Sequence, residues 1–262
     1  MNEVNKTLFI PLYGKARVSK LGIILCDPTA ERIWDAEAFP IKGKSKSKWL
    51  SYNMAMRARV FDDWTELMLK EHTEAIVLHI GCGLDSRCRR VNTPARSWID
   101  CDFTEVISVR KKYYEASDHY FMKCLDATHH NDLLSLPDAP CAIVVLEGVS
   151  MYLSNQQLKD MLRILGEKYS QIYILMDVYT EFAVRASKYK NPVNDVGVTC
   201  LYGVDDINRL LDGTGLHLIS ERSLTPDSLV NELARFEKNA FKLLFTGKLY
   251  RKIYRLFEIG SE

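Results

Sequence analysis

The sequence predicts an α/β protein whose mostly parallel sheet carries helices on both faces. Two observations predict this class: short apolar runs of strand length recur along the chain, and segments with helical spacing separate them. Strands buried on both faces appear as continuous apolar runs, and the helices between them supply the crossovers that a parallel sheet requires. The composition agrees, because 47% of the 262 residues are hydrophobic and 26% are charged, as in an ordinary globular chain.

The individual elements follow from local patterns. Residues 48–71 have apolar side chains at three- and four-residue spacing and form the first clear helix. Apolar runs then predict five strands, at 75–80, up to 98–101, at 119–125, at 141–146 and at 172–178. Helical segments are predicted at 104–116 and 154–169, and the second begins with a Ser-x-x-Gln capping box. After residue 200 we expect a helix at 205–213, a strand at 216–222 and further helical segments from 227.

Composition also excludes several classes of partner. Lys and Arg number 35 and Asp and Glu 34, so the net charge of +1 argues against bulk binding to nucleic acid or to an anionic membrane. The seven cysteines are odd in number and include no Cys-x-x-Cys pair, which favours a reducing compartment over a disulfide framework. The first residues lack the apolar core of a signal peptide, and no apolar run spans a bilayer. We therefore expect a soluble cytoplasmic protein without a transmembrane segment.

The strongest local signal is a glycine turn after the first predicted strand. The strand ends at Gly81, Cys82 and Gly83 complete a Gly-x-Gly turn, and a helix begins near Asp85. Glycines let the backbone approach a ligand, and a helix start offers free amide groups. A dinucleotide fingerprint requires a third glycine where this chain has Ser86, so the nicotinamide pattern is incomplete.

Acidic residues follow the next three predicted strands. Asp102 lies nineteen residues beyond Gly83, a spacing at which a carboxylate binds the two ribose hydroxyls of adenosine. Asp100 lies two residues earlier on the same strand face and remains an alternative. Asp126 with Ala127 is placed to bind an adenine, and Glu147 with Gly148 follows the fourth strand. Together with the glycine turn, these acids predict an adenosine pocket.

Four segments then carry a family resemblance: GCGLDSR, WIDCDFTEVISVR, LDATHHNDL and VVLEGVSMYLS. In combination they resemble the leucine carboxyl methyltransferase family, which includes small-molecule O-methyltransferases of the polyketide-tailoring type. The resemblance covers about residues 48–178. It implies the class I S-adenosylmethionine (SAM) methyltransferase fold, which is Rossmann-like with a seven-stranded, mostly parallel sheet. It also implies SAM as cofactor, S-adenosylhomocysteine as product, a methyltransferase domain at 48–262 and an N-terminal lid at 1–47.

The resemblance also implies an arginine for the methionine carboxylate of SAM. The segment MRARVFDDW is similar to the family's arginine-bearing helix and contains Arg57 and Arg59. Residues two apart do not share one helical face, so only one of them can bind this carboxylate. We favour Arg59, with Arg57 as the alternative. Glu147 is expected at the cationic end of the cofactor. The family's D-x-R-D segment is replaced by LDATHH, so Asp126 is expected to serve the adenine without a second acid.

The sequence gives fewer signals for the residues that contact the methyl acceptor. Tyr152 resembles a family tyrosine beside the active site and either orients the acceptor or packs. Acceptor specificity is expected in residues 8–50 and 179–203, with these candidate lining residues: Tyr179, Arg185, Tyr189 and Tyr202. His129 and His130 lack partners at metal-ligand spacing, so no metal site is predicted.

The favoured function is SAM-dependent methyl transfer to a carboxylate or phenolic hydroxyl of a small molecule, without nucleic acid. Three alternatives stay open: carboxyl methylation of a protein C-terminus, SAM binding without transfer, and a nicotinamide-dependent reductase, which Ser86 and the arginine-bearing helix disfavour. The segment 235–257 is predicted to form a basic amphipathic helix. Such a helix docks on its own domain or engages a membrane or partner.

Overall fold

The structure is a computed structural model and describes residues 8–37, 39–41, 43–190 and 201–261. Its centre is a seven-stranded sheet in the order β3-β2-β1-β4-β5-β7-β6. The strands are β1 Ile76–Ile80, β2 Ser97–Asp102, β3 Tyr120–Cys124, β4 Cys141–Leu146, β5 Gln171–Tyr179, β6 His217–Arg222 and β7 Tyr254–Gly260. Strands β1 to β5 pair in parallel, whereas β7 runs antiparallel to both β5 and β6.

Helices surround this sheet. They are α1 Phe9–Lys20, α2 Pro28–Glu37, α3 Lys48–Glu71, α4 Arg87–Arg90, α5 Thr104–Arg110, α6 His130–Leu134, α7 Asn155–Lys168, α8 Glu181–Lys190, α9 Ile207–Leu211, α10 Asp227–Val230, α11 Arg235–Phe245 and α12 Gly247–Arg251. Short 3-10 turns occupy Gly43–Lys46 and Ser150–Tyr152. The capping box at the start of α7 is present, since Ser154 and Gln157 each accept a hydrogen bond from the other's backbone amide.

The strand order fixes where a ligand binds. The chain moves outward from β1 through β2 to β3 and then returns to place β4 on the other side of β1. Loops therefore leave the carboxyl ends of β1 and β4 in opposite directions and open a crevice between them. Ligands of open α/β sheets bind at such a reversal of strand order.

Two apolar layers cover the sheet. On one face, Leu162 and Leu165 of α7 belong to a core cluster with strand residues such as Leu78. On the other face, Phe61 and Trp64 of α3 pack against the sheet and are almost fully buried. Burying one large apolar side chain contributes about 1.5–3 kcal/mol, so α3 is held firmly in place. Helix α1 packs along α3 at the carboxyl end of the sheet.

The structure corrects the prediction for the C-terminal segment. The predicted helix at 235–257 is broken at Thr246, whose backbone is extended, and Gly247 after it has a φ of 71° in the left-handed region. Tyr254–Gly260 is strand β7, which lies between β5 and β6 and is almost entirely buried. The four-residue spacing of apolar side chains continued from helix α11 to Ile253 and so concealed the start of the strand. Helix α5 also ends earlier than predicted, at Arg110.

Candidate functional site

A cavity of about 400 Å³ opens at the carboxyl ends of β1, β2 and β4. Its walls come from the turn after β1, the ends of the neighbouring strands, and helices α1 and α3. Most of the residues singled out in the sequence line it, namely Arg57, Gly81, Cys82, Gly83, Asp85, Asp102, Asp126, Ala127, Glu147, Gly148, Tyr152 and Tyr179. Arg59 is the exception among the predicted cofactor residues.

The turn after β1 requires glycine. Gly81 has a φ of 71°, and a Cβ at this position would lie 2.3 Å from Cγ2 of Val149. The backbone amides of Gly81 and Cys82 both donate to the carbonyl of Cys101, at 2.8 and 3.1 Å. The turn is thus tied to the end of β2 and packed against the segment that follows β4.

Asp102 organises the same turn. Its Oδ2 accepts a hydrogen bond from the amide of Gly83 at 2.8 Å, and its Oδ1 accepts one from the amide of Phe103 at 2.8 Å. Burial raises the pKa of Asp102, although these two amides act in the opposite direction. The carboxylate therefore lies at the cavity wall in a fixed orientation.

Asp100, the alternative to Asp102, is a structural residue. It is fully buried and accepts hydrogen bonds from Arg110, from Tyr120 Oη at 2.7 Å and from Trp98 Nε1 at 2.9 Å. Burial by itself would raise the pKa of Asp100, but Arg110 and the hydrogen bonds outweigh it and lower the pKa to about 2. Asp100 does not line the cavity.

Of the two candidate arginines, the structure brings Arg57 to the cavity. Arg57 Nε donates to Glu147 Oε1 at 3.0 Å, and Nη1 donates to Asp177 Oδ2 at 3.0 Å and to Tyr254 Oη at 2.6 Å. Arg59 lies on the outer face of α3, where its half-exposed side chain pairs with Asp63 at 2.7 Å. The preference for Arg59 is therefore corrected: a two-residue step turns the side chain to nearly the opposite side of a helix.

Glu147 is engaged on both oxygens. Oε1 accepts from Arg57 and Oε2 from Arg87, and the Glu147 side chain is only 6% exposed. Burial acts to raise the pKa of Glu147, yet the two guanidinium groups prevail and hold it at about 2. Glu147 is thus a fixed carboxylate.

Arg87 and His79 extend this network, and sequence reasoning did not single them out. Arg87 Nε donates to Asp62 Oδ1 at 2.7 Å, and Nη1 lies 3.1 Å from His79 Nε2. A guanidinium only donates, so Nε2 accepts and the ring proton sits on Nδ1, which donates to Asp100 Oδ1 at 3.1 Å. Arg87 belongs to the GCGLDSR segment, whose spacing gave no sign that its guanidinium is fully buried.

Lys15 is the second cation of the cavity, and it was also missed. It lies on α1, is only 3% exposed, and pairs with Asp85. Burial would raise the pKa of Asp85, but Arg90 and Lys15 outweigh it and place the pKa well below its usual range. The available signal was a lysine inside the apolar stretch LFIPLYGKA, since lysine is rarely fully buried without a partner.

The segment after β3 carries Asp132, a carboxylate beside Asp126 that the family resemblance did not predict. Asp126 Oδ1 accepts from the amide of Thr128 at 2.8 Å and from Thr128 Oγ1 at 2.7 Å. The amide of Asp126 donates to Asp132 Oδ2 at 2.9 Å. Asp132 thus fixes the backbone that carries Asp126 and Ala127 along the cavity wall.

The remaining wall is mainly apolar and includes two tyrosines. Apolar residues of α1, α3 and the turn after β4 line it together with Tyr152 and Tyr179; they include Leu8, Ile10, Pro11, Leu50, Met54 and Met151. Arg185 is exposed and pairs with Glu181, and Tyr202 lies outside the lining, although its amide donates to the carbonyl of Met151 at 2.9 Å. The side chain of Tyr189 and residues 191–200 lie outside the described residues.

Carboxylates outnumber cationic side chains along the cavity wall. Two cationic side chains, Lys15 and Arg57, face four carboxylates: Asp85, Asp102, Asp126 and Glu147. The difference, two minus four, is a formal charge of −2 among the described lining residues. Such a wall suits a ligand that carries both a carboxylate and an excess of positive charge. The volume lies within the range of about 300–1,000 Å³ that is usual for small-molecule sites.

Comparison with known proteins agrees with this geometry. Residues 13–122 match the family model described as leucine carboxyl methyltransferase. The tetracenomycin polyketide synthesis O-methyltransferase TcmP of Streptomyces glaucescens is 31% identical over 209 residues, which are 78% of this chain and 76% of that protein. The S-adenosyl-L-methionine-dependent methyltransferase dpfgK of Gibberella zeae is 30% identical over 129 residues, 46% of this chain and 43% of that protein.

Solved structures share the fold. Magnesium protoporphyrin IX methyltransferase from Synechocystis PCC 6803 has a TM-score of 0.53 at 10% identity and covers 90% of this chain and 95% of that chain. An S-adenosylmethionine-dependent methyltransferase from Mesorhizobium loti has a TM-score of 0.54 at 11% identity. The match covers 76% of this chain and 98% of that chain. The predicted class I methyltransferase fold is confirmed.

Proposed function

This chain belongs to the leucine carboxyl methyltransferase family, and on that premise we propose that it methylates a carboxylate or phenolic oxygen of a small molecule. The family resemblance predicted from the sequence is confirmed, and the chain is a SAM-dependent methyltransferase. The name of the relative TcmP, an O-methyltransferase of polyketide synthesis, supports oxygen as the acceptor atom.

The proposal rests chiefly on the charged side chains that line the cavity. Arg57 and Lys15 both line the cavity and bind the methionine carboxylate in our proposal. Because Nε and Nη1 of Arg57 are engaged by Glu147, Asp177 and Tyr254, its Nη2 is the atom that donates to the carboxylate. Asp102 binds the ribose hydroxyls, and Asp126 with Ala127 lies against the adenine. The glycine turn at 81–83 gives the ligand close access to the backbone.

The charge of the wall also favours turnover. SAM carries a sulfonium and a net charge of +1, whereas S-adenosylhomocysteine is neutral overall. A lining with a formal charge of −2 therefore attracts the cofactor more strongly than the product. This difference assists product release.

The titratable residues Glu147 and His79 of the cavity favour a carboxylate acceptor. SAM supplies an activated methyl group, so the protein has to align the acceptor and exclude water. Glu147 is held as a carboxylate between two arginines, and His79 is fixed between Arg87 and Asp100, so neither is placed to take a proton. A carboxylate acceptor needs no base because its reference pKa is about 4, whereas a phenol, at about 10, does.

Helix α1 favours a small acceptor. Its Leu8 end, Ile10 and Pro11 lie against the cavity and leave an apolar surface for a compact molecule. A protein C-terminus would require an open groove beside the methyl group. Carboxyl methylation of a protein and SAM binding without transfer remain the alternatives that the assay distinguishes.

The test is methyl transfer from radiolabelled SAM to a panel of aromatic and aliphatic carboxylic acids and phenols. Mild alkali releases methanol from a methyl ester but not from an aryl methyl ether, so the label identifies the acceptor oxygen. We expect alkali-labile incorporation into at least one carboxylic acid. Incorporation only into added protein would support the first alternative, and SAM binding without transfer to any acceptor would support the second.

A further inference from the structure

The C-terminal helices present apolar side chains to solvent. Phe236 and Leu243 of α11 are 78% and 77% exposed, and Leu249 of α12 is 65% exposed. The opposite side of α11 carries Phe241, which is fully buried and packs against Tyr52 of α3. Helix α11 therefore docks on its own domain by one face and leaves a second apolar face uncovered among the described residues.

The same surface is strongly basic. Between residues 235 and 253 there are six Lys or Arg residues and one acid, which gives six minus one, or +5, although the whole chain is only +1. Glu237 is engaged towards α3 by Lys48 at 2.8 Å and by Tyr52 at 2.8 Å. Lys242 pairs with Asp227 at 2.8 Å; among the described residues no other ion pair within 4 Å involves the basic residues of this segment.

This combination favours a lipid surface over other partners. Apolar side chains that enter the boundary of the acyl chains, flanked by Lys and Arg at headgroup level, give stable interfacial binding. A second copy of this chain would bring two surfaces of charge +5 together, which disfavours self-association. The helices in the described part of the chain include none with an apolar stretch of membrane-spanning length.

We propose that residues 235–253, here called the basic face, dock the protein on the surface of an anionic bilayer. The face is one helix away from the cavity, because α3 carries Leu50 and Met54 on the cavity side and Lys48 and Tyr52 on the side of α11. Docking would therefore bring the acceptor side of the cavity near the interface. The proposal goes beyond methyl transfer and does not depend on it.

The test is flotation of the full chain with vesicles of phosphatidylcholine alone or of phosphatidylcholine with 30% phosphatidylglycerol. We expect binding to the anionic vesicles, weaker binding at high salt, and little binding to the neutral vesicles. Each basic residue near an anionic surface contributes about fivefold. Reversal of Arg251 and Lys252 to Glu is expected to weaken binding by at least about tenfold, and Leu243→Ser should also weaken it.

Two control variants carry the same kinds of substitution outside the basic face. Lys111 and Lys112 form an exposed basic pair outside the basic face, so their reversal to Glu should leave vesicle binding unchanged. Leu134→Ser removes an exposed leucine from α6 and controls for Leu243→Ser. SAM binding should be unaffected in all of these variants, which shows that they are folded. Absence of binding to anionic vesicles, equal loss in the control pair, or dimerisation that depends on Leu243 would overturn the proposal.

Discussion

Arg57 links the cavity to the core at the scale of single residues. Its guanidinium joins Glu147 after β4 to Asp177 on β5, and Tyr254 on β7 adds a third contact. Burial acts to lower the pKa of Arg57, but Tyr254, Glu147 and Asp177 prevail and raise the pKa well above its usual value. The two carboxylates share this cation, and Glu147 has Arg87 as a second partner.

Arg57→Lys keeps the charge but loses the planar fork. We expect the affinity for SAM to fall by about 10- to 100-fold, which corresponds to about 1.5–3 kcal/mol for hydrogen bonds to charged groups. Arg59→Lys, on the exposed face of the same helix, should change neither SAM affinity nor melting temperature. Isothermal titration measures SAM affinity and scanning calorimetry measures the melting temperature of both variants. A lower melting temperature of Arg57→Lys with unchanged SAM affinity would show that Arg57 acts only on folding.

The sequence could indicate an arginine on this helix but not which one. Spacing places two residues on different faces, yet the face that meets the cavity depends on how α3 packs against the sheet. Lys15 and Asp177 are further cases: they lie 42 residues before and 120 residues after Arg57, and only the folded chain brings all three together.

At the scale of elements, the turn after β1 combines two requirements on one residue. Gly81 has a positive φ and also lies against Val149, so an added Cβ there is both strained and obstructed. Gly213 has a φ of 73° with no heavy atom within 4 Å of the position of an added Cβ. A comparison of Gly81 with Gly213 therefore separates the free-energy cost of the left-handed backbone from the cost of the steric clash with Val149.

Gly81→Ala should therefore destabilise the protein more than Gly213→Ala. The left-handed conformation costs about 1–2 kcal/mol at both positions, and overpacking adds about 1–3 kcal/mol at Gly81 alone. Urea unfolding gives the two free energies of unfolding, and titration gives SAM affinity, which should fall only for Gly81→Ala. Equal destabilisation would mean that Val149 moves aside freely.

Elements with a strong local pattern were predicted closely, and the others were not. Helix α3 occupies the predicted 48–71, and strand β4 the predicted 141–146. Strand β7 was missed because its pairing with β5 and β6 is a long-range property, whereas the apolar spacing before it is typical of a helix.

At the scale of the whole molecule, a buried ionic network makes stability depend on pH. The pKa of Glu147 is lowered from 4.5 to about 2, and that of Asp100 from 3.8 to about 2, by the arginines that outweigh their burial. A carboxylate with a lowered pKa in the folded state stabilises the protein above its unfolded pKa. That contribution is lost as the pH falls towards about 2. Burial raises the pKa of Asp102 and of Asp177, which act in the opposite direction.

We expect the melting temperature to decrease as the pH falls from about 4.5 towards 2. Glu147→Gln should be less stable than the parent at neutral pH, where Arg57 and Arg87 lose their shared partner, and its decrease with acid should be shallower. Differential scanning calorimetry across this range measures both effects. Parallel curves for parent and variant would exclude Glu147 as a source of the dependence.

We propose that one cavity at the reversal of strand order binds SAM through Asp102 and the nearby cations. The most direct test is calorimetric titration with SAM, S-adenosylhomocysteine and NADH of three chains: the parent, Asp102→Ala, and Asp118→Ala, which removes an exposed aspartate elsewhere. We expect the parent to bind the first two ligands and not NADH. Asp102→Ala should lose about 1–3 kcal/mol of SAM binding, and Asp118→Ala should lose none. Binding of NADH alone, or unchanged SAM affinity in Asp102→Ala, would contradict it.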